Sequence, residues 1–300
     1  MSTGNKNFDA IIIGGGPAGV SCAVWLARLG LAPLLVEASA SVGGLCRRNP
    51  FMDEWNASLP GMTGPQVADN LALSLELAAV PVRLSSKVES ILPQSVGFAV
   101  SGPVFAEPLF ARHVVLATGV RARGLNHQGS ANTKSDGLMI GPGAHVVAQE
   151  FRGKRVAVLG GGDNAFENAL YALERGAACV HIYARGLRAQ KQFIRRVARE
   201  SIMQGPYEVD ASAGMVNGEL YDVIMVFYGW EPCIEFAEVL GLRRSAQGFI
   251  ATDMQTAQTS CAGVYAIGEV AQRQHPCVVT ALADGVTAAK AIQARIEMPA

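Results

Sequence analysis

The chain has 300 residues, half of them hydrophobic, and its 25 acidic and 25 basic side chains cancel to zero net charge. That balance gives no bulk electrostatic reason to bind nucleic acid or an anionic membrane, and no apolar run approaches the ~18 residues of a membrane span. The opening MSTGNKNFDA lacks the apolar core of a signal peptide, and the six cysteines (22, 46, 179, 233, 261 and 277) fall singly, with no C-x-x-C spacing for a zinc site or a local dithiol; no metal site is expected, and reduced thiols in a cytoplasmic protein are.

The first element reads as strand, tight turn, helix. Ile11 to Ile13 form a β-branched run, and Gly14, Gly16 and Gly19 fill G-x-G-x-x-G. Val20, Ala23, Val24 and Ala27 recur at helical spacing until Gly30. In such a loop the first glycine allows the turn, the second lets the backbone approach a pyrophosphate, and the third lets helix and strand pack closely. The next strand ends in Glu37, 23 residues after Gly14, where an acid that hydrogen-bonds a ribose hydroxyl is expected. A plain glycine turn is the alternative.

The plan repeats in KRVAVLGGGDNAFENALYALERGAACVHIYARG. Val156 to Leu159 read as a strand, Gly160, Gly162 and Ala165 fill G-x-G-x-x-A, and a helix runs to Gly176 before the strand from Cys179 to Tyr183. The position matching Glu37 is Tyr183, followed by Arg185 and Arg188. Guanidinium suits a 2′-phosphate and a carboxylate does not, so the second loop is expected to take NADP rather than NAD; an ordinary solvated basic face is the alternative. Two loops with different polar chemistry suggest two cofactors, a flavin and a nicotinamide, in a hydride relay.

IIIGGGPAG, VVLATG (114–119), VAVLGGGDNAFENAL and GVYAIGEV (263–270), in that order, resemble the low-molecular-weight thioredoxin reductases and their disulfide-free relatives, such as the thioredoxin-reductase-like ferredoxin–NADP reductases. The resemblance implies an α/β chain of two Rossmann-like, three-layer dinucleotide-binding domains. The NAD(P)H domain (119–232) would be inserted into an FAD domain made of 1–118 and 233–300. It implies FAD on Gly14, Gly16, Gly19 and Glu37, and NADP(H) on Gly160, Gly162, Ala165, Arg185 and Arg188. Thr118 and Gly119 would lie at the first crossover and belong to the FAD site. Gly268 and Glu269 would lie near the ribityl-phosphate side of the flavin, with Glu269 where the family usually has Asp. Val278 and Val279 would lie near the ring, and Asn56 aligns loosely with a flavin-side Asn. The family's His-Arg-Arg signature is here Tyr183-Ala184-Arg185, and the stretch from Ala189 to Leu220 is shorter than the family's β-meander. A homodimer is also implied.

Disulfide reduction in this family uses a Cys-x-x-Cys pair a fixed distance before the second glycine loop. Counting back 17 residues from Gly160 reaches Gly143-Ala144-His145-Val146, without a thiol. Cys46, in GGLCRRNP, is the alternative thiol, with Arg47 and Arg48 as the cations that would lower its pKa in a redox role; the other reading is a buried structural cysteine. His145 is a candidate proton donor, against the reading of a hinge residue, and His275 stands likewise. Trp55 and Trp230 either stack on a cofactor or fill a groove. The expected function is an FAD-dependent NAD(P)H oxidoreductase without an internal disulfide, passing electrons to a small redox protein or small molecule. The alternatives are a non-enzymatic or sensor flavoprotein with a relic NADPH site, and a thiol–disulfide oxidoreductase using Cys46.

Overall fold

The computed structural model describes residues 8–125 and 137–298, so most of the N-terminal segment read above lies outside the described residues. In chain order the elements are β1 (Phe8–Ile13), α1 (Pro17–Arg28), β2 (Pro33–Val36), α2 (Leu45–Arg48), α3 (Gly64–Leu77), β3 (Val82–Arg83), β4 (Ser90–Pro93), β5 (Phe98–Ser101), β6 (Leu109–Leu116) and β7 (Val120–Ala122). They continue with β8 (Leu138–Ile140), α4 (Ala144–Val147), β9 (Arg155–Leu159), α5 (Asp163–Glu174), β10 (Cys179–Ala184), α6 (Lys191–Ile194), β11 (Ile202–Gln204), β12 (Val209–Asp210), β13 (Met215–Val216), β14 (Glu219–Leu220), β15 (Val223–Val226) and β16 (Trp230–Pro232). β17 (Val264–Ala266) and α7 (Val278–Glu297) close the chain. The fold divides into unit 1, Met1–Val120 with Glu231–Ala300, and unit 2, Arg121–Trp230.

In unit 1 the sheet order is β3-β2-β1-β6-β5-β4, with β17 also on β6. The pairings β1–β2, β1–β6, β2–β3 and β6–β17 are parallel, and the β4–β5–β6 meander is antiparallel. Strand β6 serves two neighbours along one edge: Leu109 to Ala111 pair with β5, and Val114 to Leu116 with β17. Alternation along β1 divides its side chains between two cores. Ala10 and Ile12 pack with residues of α1, α3 and α7, and Ile11 and Ile13 with the meander and Ile234 to Ile250. This is the three-layer α/β arrangement expected of a strand buried on both faces. Each such Ile or Leu, fully removed from water, contributes about 1.5–3 kcal/mol.

Helix α1 starts on Pro17, whose missing N–H costs nothing in the first turn, and stops before Gly30 at φ +80°. Helix α3 starts at a capping box in which the Thr63 N–H donates to Gln66 Oε1 at 2.8 Å. Helix α7 crosses α1 closely, and a Cβ on Gly285 would lie 2.6 Å from both Ala18 O and Cys22 N.

Unit 2 has the sheet order β11-β10-β9-β15-β8, all parallel. Val156 and Val158 of β9 pack with Ala165, Phe166 and Ala169 of α5, while Ala157 and Leu159 pack with Tyr183 and Tyr221 on the other face. The short β12–β13–β14 meander is antiparallel. Among the described residues no helix is long and apolar enough to cross a membrane, and no group of His, Cys, Asp and Glu has the arrangement of a metal site.

His113 on β6 is buried, edge-on to Tyr265, with no partner for Nδ1 among the described residues. Burial, and secondarily Arg295, pushes its pKa below the ordinary 6.5. The unfolded chain therefore takes up this proton first as pH falls. The stability contribution is complete above about 6.5 and is lost as pH drops from there through the folded value. Denaturant unfolding of the apoprotein is expected to give lower stability at pH 5 than at pH 7, and His113→Phe is expected to flatten part of that slope; an unchanged slope contradicts the assignment.

Candidate nucleotide and flavin site

The glycines of the first loop answer to different constraints. Gly14 has φ +108°, and a Cβ there would lie 2.3 Å from Ala117 O; a Cβ on Gly19 would lie 2.0 Å from Gly14 O. Both must be glycine for strand, turn and helix to close. Gly16 is different. Its φ is −74°, open to any residue, and a Cβ on it meets nothing within 4 Å. It is also the N-cap of α1, with no side-chain cap for the first-turn N–H groups. The chain supplies no reason for glycine at 16, whereas a group lying against the helix N-terminus does.

Around this loop the backbone is drawn in. The Gly43 N–H donates to Gly15 O at 2.7 Å, and a Cβ on Gly44 (φ +55°) would lie 3.2 Å from Gly16 Cα. Glu37, at the end of β2, is buried, and its carboxylate accepts from Gly15 N at 2.6 Å and Ser39 N at 2.7 Å. From the C-terminal part of the chain, Gly268 (φ +69°) places a three-residue 3-10 turn against α1, where a Cβ would lie 2.9 Å from Ala18 Cβ. Glu269 on this turn is half-buried, and burial pushes its carboxyl above the ordinary range.

Asn56 is only 3% exposed. Its Oδ1 accepts from Ser58 Oγ at 2.8 Å, while its Nδ2 and the Oδ2 of nearby Asp53 are buried without partners among the described residues. Buried polar atoms left unpaired cost free energy, so this loop has hydrogen-bonding capacity that the chain does not use. Thr118 Oγ1 donates to Cys233 O at 2.6 Å, so its hydroxyl is engaged, and Gly119 beside it is at φ +64° with open space around it. Val278, half-buried, and Val279, exposed, open α7. Cys277 caps that helix, its Sγ accepting from Thr280 N, and His275 supplies a carbonyl to Thr280 Oγ1. Trp55 is 72% exposed and is not part of the core of unit 1.

Unit 2 repeats the geometry. A Cβ on Gly160 (φ +142°) would lie 2.4 Å from Phe227 O, and one on Gly161 2.0 Å from Gly186 O. Gly162, at φ −98°, meets nothing within 4 Å and caps α5 with no side-chain cap. Ala165 is fully buried under the sheet. The loop after β10 folds back, with Arg188 N and Ala189 N donating to Gly161 O at 2.7 and 2.9 Å, which holds the segment carrying Arg185 and Arg188 beside the glycine loop with both side chains exposed. Asp163, in the first turn of α5, is occupied by Gln190 through N at 2.7 Å and Nε2 at 3.0 Å. Tyr183, the counterpart of Glu37, does not face this rim. It is buried on the far face of the sheet, its hydroxyl 2.7 Å from that of Tyr221, which is 2.7 Å from His181 Nδ1.

His145 is exposed on the one-turn α4, while its neighbour Val146 is fully buried. Cys46 lacks the lowered pKa that the redox reading needs. Its pKa is pushed up to about 11 by burial and by the negative charges of Asp53 and Glu269. Arg47 does not offset them: it points to Asp69 Oδ1 at 2.8 Å and to the Val42 carbonyl. The sequence neighbours are cations, but burial and the negative charges that the fold brings to bear outweigh them. Sequence reasoning also missed Arg273 and Asp284, a buried ion pair at 2.6 Å.

The sequence profile described as pyridine nucleotide-disulphide oxidoreductase matches residues 8–285. The thioredoxin reductase of Mycolicibacterium smegmatis is 29% identical over 96% of this chain and 96% of its own length. The ferredoxin–NADP reductase of Acidiphilium cryptum is also 29% identical, over 88% of this chain and 84% of its own. The crystal structure of Lactococcus lactis thioredoxin reductase (FR conformation) superposes with a TM-score of 0.80 at 27% identity, covering 97% of this chain and 100% of that one.

With a pKa of about 11, Cys46 is expected to be a thiolate at pH 8 in on the order of one molecule in a thousand. Alkylation of this site by iodoacetamide, followed by peptide mass spectrometry, is expected to be far slower than that of a free thiol and to accelerate toward pH 11. Rapid labelling at pH 7 contradicts it.

Proposed function

The chain belongs to the pyridine nucleotide-disulphide oxidoreductase family and is an FAD-containing, NAD(P)H-dependent oxidoreductase, and we propose that it moves electrons from NADPH to an acceptor that docks directly, without an internal disulfide. The observation that carries this is the pair Gly16 and Gly162. Each is an uncapped helix N-terminus with ordinary φ and open space where a side chain would stand, as a diphosphate on each loop requires.

In this reading unit 1 holds FAD. The first-turn N–H groups of α1 donate to its diphosphate, Gly16 leaves room for it, and the Glu37 carboxylate accepts from a ribose hydroxyl. The unpaired Asn56 Nδ2 donates to the flavin side, and Glu269, half-buried, faces the same region. Thr118 acts through its bond to the Cys233 carbonyl, holding the crossover that precedes Gly119. Val278 and Val279 offer an apolar edge to the ring. FAD, when bound, accepts a hydride and passes electrons on singly or in pairs.

Unit 2 holds NADPH. The N-terminus of α5 takes its diphosphate, and Arg185 and Arg188 donate to the 2′-phosphate. Tyr183, turned into the core, leaves that rim free of a carboxylate.

The absence of C-x-x-C from the sequence supports electron transfer to the acceptor without a dithiol relay, and the raised pKa of Cys46 speaks against a lone-thiol route. The acceptor is then a small redox protein or a small molecule. The exposed His145 stands where the family's thiols would be, as a proton donor on the acceptor side. A homodimer is what the family resemblance implies, and the absence of a C-x-x-C pair fits reduced thiols in a cytoplasmic setting.

Anaerobic titration with NADPH is expected to bleach the flavin absorbance; no bleaching with NADPH or NADH contradicts the function. Arg185→Glu/Arg188→Glu is expected to raise the KM for NADPH about tenfold or more while leaving that for NADH within about threefold, since each hydrogen bond to a charged group contributes about 1.5–3 kcal/mol. Equal effects on the two nucleotides contradict the assignment of these arginines.

A further inference from the structure

Resting on the reading that unit 1 holds FAD, we propose that Asp284 is a positioning residue for the flavin site, fastening the turn that carries Glu269 against the N-terminal turn of α1.

Asp284 lies in the second turn of α7 with its side chain 7% exposed, and Arg273 opposite it is 4% exposed. One carboxylate oxygen, Oδ2, accepts from Gly268 N at 3.0 Å; the other, Oδ1, accepts from Arg273 Nη1 at 2.6 Å. Arg273 in turn donates through Nη2 to the carbonyls of Asp253 and Met254, while its Nε is buried without a partner among the described residues. One side chain therefore holds both ends of the segment from Gly268 to Arg273.

Stability alone does not account for this pair. Two charges taken out of water are costly to desolvate, and replacing such a pair by apolar groups of similar volume is often neutral or stabilising. The surroundings indicate what it does. The turn is a three-residue 3-10 segment whose own hydrogen bonds, from Ala271 N and Gln272 N to the Gly268 carbonyl, leave the Gly268 amide to Asp284. Its first residue, Gly268, is against Ala18, and so is Gly285, the residue after Asp284. Ala18 is two residues past Gly16. The turn with Glu269, the second turn of α7 and the N-terminal turn of α1 thus meet at Ala18; Asp284 ties the turn to α7, and Ser21 Oγ, donating to the Leu282 carbonyl at 2.7 Å, ties α7 to α1. If the Gly268 amide is released, Glu269 loses its fixed distance from α1.

The test separates clamping from mere stability. In Asp284→Asn/Arg273→Met the buried charges are gone but an acceptor for Gly268 N remains; in Asp284→Leu/Arg273→Met the acceptor is gone too. FAD binding to the apoprotein is followed by fluorescence quenching, with the apoprotein Tm measured alongside. The asparagine variant is expected to bind FAD within about threefold of the wild type. The leucine variant is expected to bind about tenfold more weakly or worse, at an apoprotein Tm close to that of the asparagine variant. Equal FAD affinity in the two overturns the proposal. Asp284→Glu is the second variant, keeping the charge on a longer arm: weaker FAD binding at retained Tm supports the clamp, and unchanged binding overturns it. Wild-type protein that binds no FAD removes the flavin reading itself, and this inference with it.

Discussion

The carbonyl oxygen of Ala117 lies 2.3 Å from where a side chain on Gly14 would begin, and that of Phe227 lies 2.4 Å from the same point on Gly160. In each unit the backbone following one central strand turns across the backbone following its neighbour, and only glycine permits the crossing. The rest depends on it. The crossing turns the chain into a helix whose N-terminus faces outward at the carboxyl ends of parallel strands, and α1 and α5 then bury their apolar faces under the sheet. Helix dipole and free N–H groups are placed by the same event.

Close packing explains Gly14, Gly19, Gly160 and Gly161, but not Gly16 or Gly162, whose missing side chains would have had room. This contrast separates glycines that the packing requires from glycines that it does not. The polar rims then differ. In unit 1 a carboxylate, Glu37, lies over the loop; in unit 2 the corresponding Tyr183 is drawn into a hydroxyl chain with Tyr221 and His181 on the opposite face, and two exposed arginines remain near the loop. The same backbone device therefore carries opposite charge beside its two loops, the difference on which the proposed pairing with a 2′-hydroxyl and a 2′-phosphate rests.

The family and the two-Rossmann α/β fold were legible in the sequence because their signals are local: β-branched runs, glycines at fixed offsets, a helix ending in glycine at Gly30 and Gly176. Glu37 was also within reach, because strand and helix lengths fix how far it follows the first glycine. What escaped is carried by contacts between distant segments. Cys46 is followed by two arginines in sequence, yet burial and the charges of Asp53 and Glu269 raise its pKa and Arg47 turns to Asp69, so the redox reading of this thiol loses its support. The Arg273–Asp284 pair has no motif: nothing in an eleven-residue separation shows that both side chains are buried or that one of them holds Gly268. Nor does the sequence tell which way Tyr183 faces, since a strand buried on both faces has no polar side to mark it.

The central claim is that Gly16 is glycine for the sake of a bound diphosphate and not for the fold. Gly16→Ala tests it most directly, with FAD affinity and the stability of the apoprotein measured on the same preparation. The φ of −74° and the open space around the site predict an apoprotein within about 1 kcal/mol of the wild type, because alanine narrows the unfolded ensemble by about 0.4–1 kcal/mol while being a poorer N-cap than glycine by a similar amount, together with an FAD affinity lowered about tenfold or more by a methyl group where the diphosphate must approach. An alanine variant that binds FAD as tightly as the wild type would contradict the account.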